Sequence, residues 1–361
     1  LSLLAGGAEV TSILTLTFTR KAAAEMHKRI YSLLAARRNE HRNFEMAFRS
    51  FDQARISTLD SFVSEIARSA SADLGIPPTF STDEAKLEEL CMQAASEFLL
   101  SHSGEPVFRR LAQERGPATL IDEGLAPIAA EYMSPVHPTD FAAMIDAQLT
   151  EARRLAERTA ARLEEFRRYV QTEVTASVGA AAKKLSARLA SVEYAPESPA
   201  ETERVFSALD GLRAPPSSVK TEEKIAFRDA FIDARERLST LRECLVLLEA
   251  ETDMRRLYEL LDEFEELVIA RKRASGQLSF GDAMELAIAV LEGNEAVAQW
   301  YRKRIGYLMV DEFQDNNERQ KRLLELIAGE SGELFFVGDE KQSIYRFRGA
   351  DVRVFKGLSE A

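Results

Sequence analysis

The sequence has 361 residues, of which 45% are hydrophobic and 29% charged, with a net charge of −12. That composition excludes a disordered chain, a collagen-like repeat and a disulfide scaffold, and at roughly 100–200 residues per domain it predicts two domains. The acidic balance excludes a surface that attracts nucleic acid everywhere, so any such contact must come from a local basic patch.

The chain opens at Leu1 rather than Met, which reads as a piece of a longer polypeptide. Thr11 to Thr17 (TSILTLT) is a short β-branched run and predicts a buried strand. Ala23, Met26, Ile30, Leu33 and Leu34 follow at helical spacing, so Arg20 to Ala36 predicts a helix. Thr17 to Arg42 holds seven Lys/Arg and two Glu, a net of +5. A second strand is expected over Arg55 to Leu59 and a helix from Ser61 to about Ser71. Strands alternating with helices predict a parallel α/β sheet.

Residues 81–275 are different in kind. They are rich in Ala, Leu, Glu and Arg, with helical periodicities such as Leu155, Leu163, Phe166 and Val170, and predict an all-α domain. Residues 250–266 carry seven acids and two arginines and read as a solvated helix face. Cys91 and Cys244 have no His or Cys at ligand spacing and read as reduced core residues.

The pattern of strands and helices returns over 276–361. Ser279 to Leu291 predicts a helix, Gly306 to Val310 (GYLMV) a buried strand, Asn317 to Ala328 an amphipathic helix, and Glu333 to Val337 (ELFFV) another buried strand. The simplest topology joins 1–80 and 276–361 in one sheet, with 81–275 inserted between them. No apolar run approaches the ~18 residues that a membrane helix needs, and no charged-then-apolar leader opens the chain. A cytoplasmic protein is expected.

Three constellations carry chemistry. In Val310-Asp311-Glu312-Phe313-Gln314-Asp315 an apolar strand delivers adjacent carboxylates to its C-terminal end, where open α/β sheets bind ligands. Triphosphate hydrolysis needs one carboxylate for Mg²⁺ and a group that orients water. Asp311 suits the metal and Glu312 the water, although acids there also cap helices. In Val337 to Ala350 (VGDEKQSIYRFRGA), aromatics alternate with arginines, and 341–356 holds five basic residues and one acid. Rings for base stacking beside cations for phosphate suit single-stranded nucleic acid, with Tyr345 and Phe347 as core residues the lesser alternative. In Thr17-Phe18-Thr19-Arg20-Lys21, hydroxyls and a ring stand at a strand-to-helix junction, where backbone amides favour phosphate. A capped helix with a solvated basic face accounts for the same residues. Thr58-Leu59-Asp60-Ser61-Phe62 alone reads as strand, N-cap and helix.

The succession TFTRKAAAEM, TLDSF, helical insertion, LSFGDAMELA, VDEFQD, VGDEKQSIYRFRGAD resembles the UvrD/Rep family of superfamily 1 DNA helicases. Arg346 to Asp351, and Asp60 where that branch more often has His, point to its AddA/RecB-like recombination-repair members. The resemblance implies a RecA-like P-loop NTPase sheet with a large inserted all-α subdomain. It implies an ATP-dependent 3′→5′ DNA helicase or translocase of repair and recombination, with ATP and Mg²⁺ as cofactors. Single-stranded and duplex DNA would be its substrates, and a nuclease domain or partner helicase subunit its companion.

Carried onto this sequence, the family pattern assigns Asp311 to Mg²⁺, Glu312 to the attacking water and Gln342 to sensing the γ-phosphate. Tyr345, Phe347 and Arg348 would contact the tracking strand, with Phe347 where Trp is usual. Thr17, Phe18, Thr19, Thr58 and Ser61 would line the strand path, and Arg20 stands where Asn is common. The Gly-rich loop with its Lys and Thr is not in this sequence, and Gly6-Gly7 is no substitute. The second motor domain, with its arginine fingers, is expected beyond Ala361. The 361-residue chain alone is therefore expected not to hydrolyse ATP. A non-catalytic nucleic-acid-binding scaffold derived from such a motor is the alternative.

Overall fold

The computed structural model describes residues 1–172, 198–200, 202–204, 221–313, 317–328 and 333–337. Four short strands form one parallel sheet: β1 (Ile13–Thr17), β2 (Arg55–Thr58), β3 (Tyr307–Val310) and β4 (Glu333–Phe336), in the order β2-β1-β3-β4. Parallel neighbours need a crossover, and helices supply it. Helix α1 (Arg20–Arg37) and α2 (Arg42–Arg49) lead from β1 to β2, and α3 (Leu59–Ala70) follows β2.

β1 lies between two partners. Leu14 and Leu16 are buried on one face and Thr15 and Thr17 on the other, the signature of a central parallel strand. Leu14, Leu16, Leu308 and Val310 pack against Phe62, Val63 and Ile66 of α3. The same core takes in Leu286, Ala287 and Val290 of a later helix and Leu323, Leu324 and Ile327 of another. On the opposite face, Ile13 and Ile56 meet Leu34 of α1, Phe44 of α2 and Phe51. A cavity of about 330 Å³ remains on that face, lined by Ile13, Thr15, Ile56, Met309 and Phe335 among others.

The contacts divide the chain into two compact units. One is residues 1–103, 111–139 and 265–361, and the other is 104–110 and 140–264. In the first, α4 (Glu84–Ser101) packs with the short α5 (Ala126–Glu131). In the second, α6 (Phe141–Thr172) and α7 (Glu222–Glu249) pack along their length. Leu163, Phe166 and Val170 interlock there with Phe227, Phe231, Leu238 and Leu241. The unit boundary falls within α8 (Glu251–Ser275). The first unit then continues with α9 (Phe280–Gly293), α10 (Glu295–Arg304) and α11 (Glu318–Ala328). The fold is thus mixed α/β, mostly helical with a parallel sheet, as expected.

Helix α9 starts on a complete capping box. The Ser279 hydroxyl accepts from the Asp282 amide at 2.9 Å, and the Asp282 carboxylate accepts from the Ser279 amide at 2.8 Å. The same carboxylate oxygen receives the Lys272 ammonium at 2.9 Å, and that ammonium donates to the Met133 carbonyl at 2.7 Å. Lys272 is 0% and Asp282 4% exposed, so three segments are tied by one buried ion pair.

The acids of the run 250–266 line a largely solvated helix face as expected, with Glu259, Glu263 and Glu266 exposed and Glu251, Asp253 and Asp262 half-buried, and the exception is Glu265. Leu260, Leu261 and Phe264 are core, and Glu265 is buried and accepts the Thr139 amide at 2.8 Å. Glu251 takes two arginines, Arg153 and Arg255. A carboxylate can be buried where donors surround it, which composition alone does not show.

Candidate functional site

Strands β1, β2, β3 and β4 run the same way, so their C-terminal ends form one edge. Leu16 pairs with Val310, Thr17 with Thr58, and Val310 with Phe336. Neighbouring strands lie about 4.8 Å apart. The Thr17–Thr19 turn, the Thr58–Ser61 turn and the Asp311-Glu312 pair therefore stand side by side. The Asp311 amide continues the ladder beyond β3 by donating to the Leu16 carbonyl at 3.0 Å.

Glu312 follows in the left-handed region at φ 53°, alone among described non-glycine residues. Such a backbone costs of order 1–3 kcal/mol and persists where its surroundings hold it. Its neighbours do so. The Phe313 amide donates to the Val337 carbonyl at 3.0 Å, and its ring, 1% exposed, lies 4.8 Å from Phe336. The Glu312 amide donates to the Asp311 carboxylate at 3.1 Å. Asp311 is half-buried and Glu312 exposed, so two carboxylates face the edge from a pinned turn.

The two threonine turns are built by capping. The Thr19 hydroxyl accepts from the Ala22 amide at 3.1 Å, and the Thr17 hydroxyl donates to the Thr19 carbonyl at 3.1 Å. The Thr58 hydroxyl accepts from the Ser61 amide at 3.2 Å and shares a 2.8 Å bond with the Ser61 hydroxyl. Thr17 and Thr58 are buried, Phe18 half-buried, and Thr19 and Ser61 exposed. Phe18, Thr19 and Ser61 are thus the accessible members, while Thr17 and Thr58 shape the turns.

Gln314, Asp315, Gln342, Tyr345, Phe347 and Arg348 lie outside the described residues. Helix α11 begins just past the acids on a second reciprocal cap: the Asn317 side-chain Oδ1 accepts from the Gln320 amide at 3.0 Å, and the Asn317 amide donates to Gln320 Oε1 at 2.8 Å. Among described residues no cluster of three or more His, Cys, Asp or Glu could hold a metal. Asp311 and Glu312 offer hard oxygen ligands of the kind Mg²⁺ takes, one or two carboxylates completed by phosphates and water. They fit the ion as part of a nucleotide complex. No described helix is long and apolar enough to cross a membrane.

Sequence reasoning missed Lys272, whose only signal was a cation ten positions before the acid of LSFGD. Burial pushes the nearby Cys91 thiol up to about 11, a rise that Lys272 partly offsets and Asp282 reinforces. Cys91 and Cys244 are free and buried.

A parallel α/β sheet with paired acids at the end of one strand and capped hydroxyl turns at the ends of two others is a nucleotide-type architecture. The chain belongs to the UvrD/Rep helicase family: the UvrD/REP helicase N-terminal domain matches residues 1–361. It is similar to ATP-dependent helicase/nuclease subunits from Streptococcus pyogenes serotypes M4, M12 and M1. Each is 26% identical over 97% of this chain. The chain spans 32% of the length of these relatives.

Proposed function

We propose that the chain is part of the first motor domain of an ATP-dependent DNA helicase of repair and recombination. Residues 1–80 and 276–361 form the motor and 81–275 the inserted helical subdomain. The protein works in the cytoplasm on single-stranded and duplex DNA, moves 3′→5′, and acts with a nuclease domain or partner subunit. Family membership and the names of the relatives support the helicase and nuclease parts of this reading.

The observation that carries it is the pairing of β1 with β3, which sets the Thr17–Thr19 turn against Asp311-Glu312. A motor must let strand contact and triphosphate chemistry sense each other, and one shared edge supplies that proximity. Asp311 would hold Mg²⁺, directly or through water, and Glu312 would orient the attacking water and accept its proton. Bound Mg²⁺ with ATP supplies neutralisation of the charge that develops on the phosphate oxygens. Gln342 senses the γ-phosphate. Tyr345 and Phe347 stack on bases, Arg348 meets phosphate, and Phe18, Thr19 and Ser61 line the strand path on turns that Thr17 and Thr58 shape.

The sequence contains no Gly-Lys-Ser/Thr to cradle the triphosphate. Residues 1–361 alone are therefore inactive toward ATP. The second reading, a strand-binding scaffold without turnover, would be favoured if the parent protein carried no Gly-Lys-Ser/Thr loop shortly upstream of Leu1. Unwinding by the complete enzyme of duplexes with a 3′ or a 5′ single-stranded tail separates the readings. Opening of the 3′-tailed duplex with ATP is expected. Opening only from the 5′ tail would reverse the direction, and opening of neither would leave the scaffold.

A further inference from the structure

Arg20, Lys21, Lys28, Arg29, Arg38 and Arg42 are all exposed, and among the described residues none forms an ion pair. Arg37 and Arg49 beside them are paired, with Glu40 and Glu45. Glu25 is the single acid in α1. Solvated surfaces normally mix signs more evenly than the seven Lys/Arg against two Glu over residues 17–42, in a chain of net charge −12.

The cations are ordered. Arg20, Lys28, Tyr31 and Arg38 follow one another at steps of eight, three and seven, which returns each to one face of the helix. The stripe starts beside Thr19 and runs roughly 27 Å at 1.5 Å per residue. Its flank is aromatic. The Tyr31 ring lies 5.2 Å from Phe48 and 5.7 Å from Phe51, and His27 lies 4.8 Å from Phe51. The Arg38 guanidinium sits 5.7 Å over Phe48. Tyr31 is nevertheless 46% exposed, so a face of its ring stays open to solvent.

We propose that this face of α1 extends the strand path: single-stranded DNA leaving the Thr17–Thr19 turn lays phosphates along Arg20, Lys28 and Arg38 and stacks a base on Tyr31. The proposal rests on the DNA reading above. Unpaired cations at this spacing repel one another in the free protein and are relieved by a polyanion. An exposed ring between them accepts any base, because every base offers a π-face.

The test is fluorescence anisotropy of labelled oligo-dT with the 361-residue chain. K28E/R38E is compared with R158E/R235E, an equal charge change at exposed positions of the helical unit. For a strand of about 16 nucleotides, K28E/R38E should bind at least tenfold more weakly, with a salt slope lower by about 1.4 for two lost phosphates. R158E/R235E should stay within twofold. A strand of about 4 nucleotides, enough for the turn alone, should be indifferent to K28E/R38E. Tyr31→Ala should weaken the long strand several-fold and Tyr31→Phe should not. If charge reversal unfolds the chain, K28Q/R38Q is read instead, with about threefold weakening expected. Equal binding by the stripe variant and the control overturns the stripe and leaves the edge. Absence of any strand binding by the unaltered chain overturns the DNA reading and the stripe with it.

Discussion

In the helical unit, Arg162, Arg237, Arg255 and Arg256 each reach a carboxylate within 3.0 Å, and Arg110 and Arg153 are likewise paired. Along α1 and at the start of α2, in the α/β unit, six cations have no such partner among the described residues, while Lys272 is sealed in the core with Asp282. The same residue types thus serve three ends. In the helical unit some pair along one helix, as Arg162 does with Glu165 and Arg237 with Asp233, and others join separate segments, as Arg153 does with Glu251. In the α/β unit Lys272 fixes a core junction, Arg37 and Arg322 pair with surface acids, and the six cations along α1 and at the start of α2 stand unpaired among the described residues.

The largest expected effect tests the core junction. Lys272→Ala or Asp282→Ala should cost about 3–5 kcal/mol, because each leaves the other charge buried alone. A urea melt followed by Trp300, the single tryptophan, reads the α/β unit. A loss under about 1 kcal/mol would mean that water reaches the pair. In the helical unit the equivalent weight lies in apolar contact. Leu238, 0% exposed within the α6–α7 core, should cost about 3 kcal/mol as Leu238→Ala, seen in the helical circular-dichroism transition.

Alkaline pH should separate the units less sharply. Burial pushes Tyr301 up to about 12, helped by Glu65, and Cys91 up to about 11. Both groups are protonated in the fold and ionise sooner when unfolded, so the folded state holds more protons. The stability they contribute is complete below about pH 9 and falls as pH rises towards 12. Urea midpoints across that range check the sign, and a rise would contradict it.

Smaller effects sharpen the contrast at the edge and on the surface. Glu312→Gly should raise stability by up to about 1 kcal/mol, since relief at φ 53° exceeds the flexibility that glycine adds. A loss of that size would mean that side-chain contacts of Glu312 hold the turn. Arg162→Ala should cost less than about 1 kcal/mol although it touches Glu165, because exposed pairs contribute little, and a urea melt of the helical unit checks it.

Much of the sheet was legible because short β-branched and apolar runs bounded by polar residues stand out, although β4 is not the buried strand its sequence suggests: among the described residues it is an edge strand, and Phe335 is 40% exposed. ILTLT, YLMV and ELFF sit within the expected segments, trimmed by one or two residues at their ends. The helix expected from Ser61 starts at Leu59 because Thr58 caps it. Folding alone revealed what depends on distant partners. Lys272 reads as a solvated helical lysine until Met133 and Asp282 close around it. Glu265 reads as one more acid in a charged run until the Thr139 amide meets it. The open cations of α1 were visible as a net charge, but their lack of partners was not.

Glu312 is the residue on which the motor reading turns, because it would serve ATP chemistry at an edge shared with the strand path. The decisive assay is ATP turnover by the complete enzyme carrying Glu312→Gln, with saturating single-stranded DNA. Turnover should fall by about 10²–10⁴-fold, as expected when a positioned proton acceptor is lost. Turnover within about twofold of the unaltered enzyme would contradict that role.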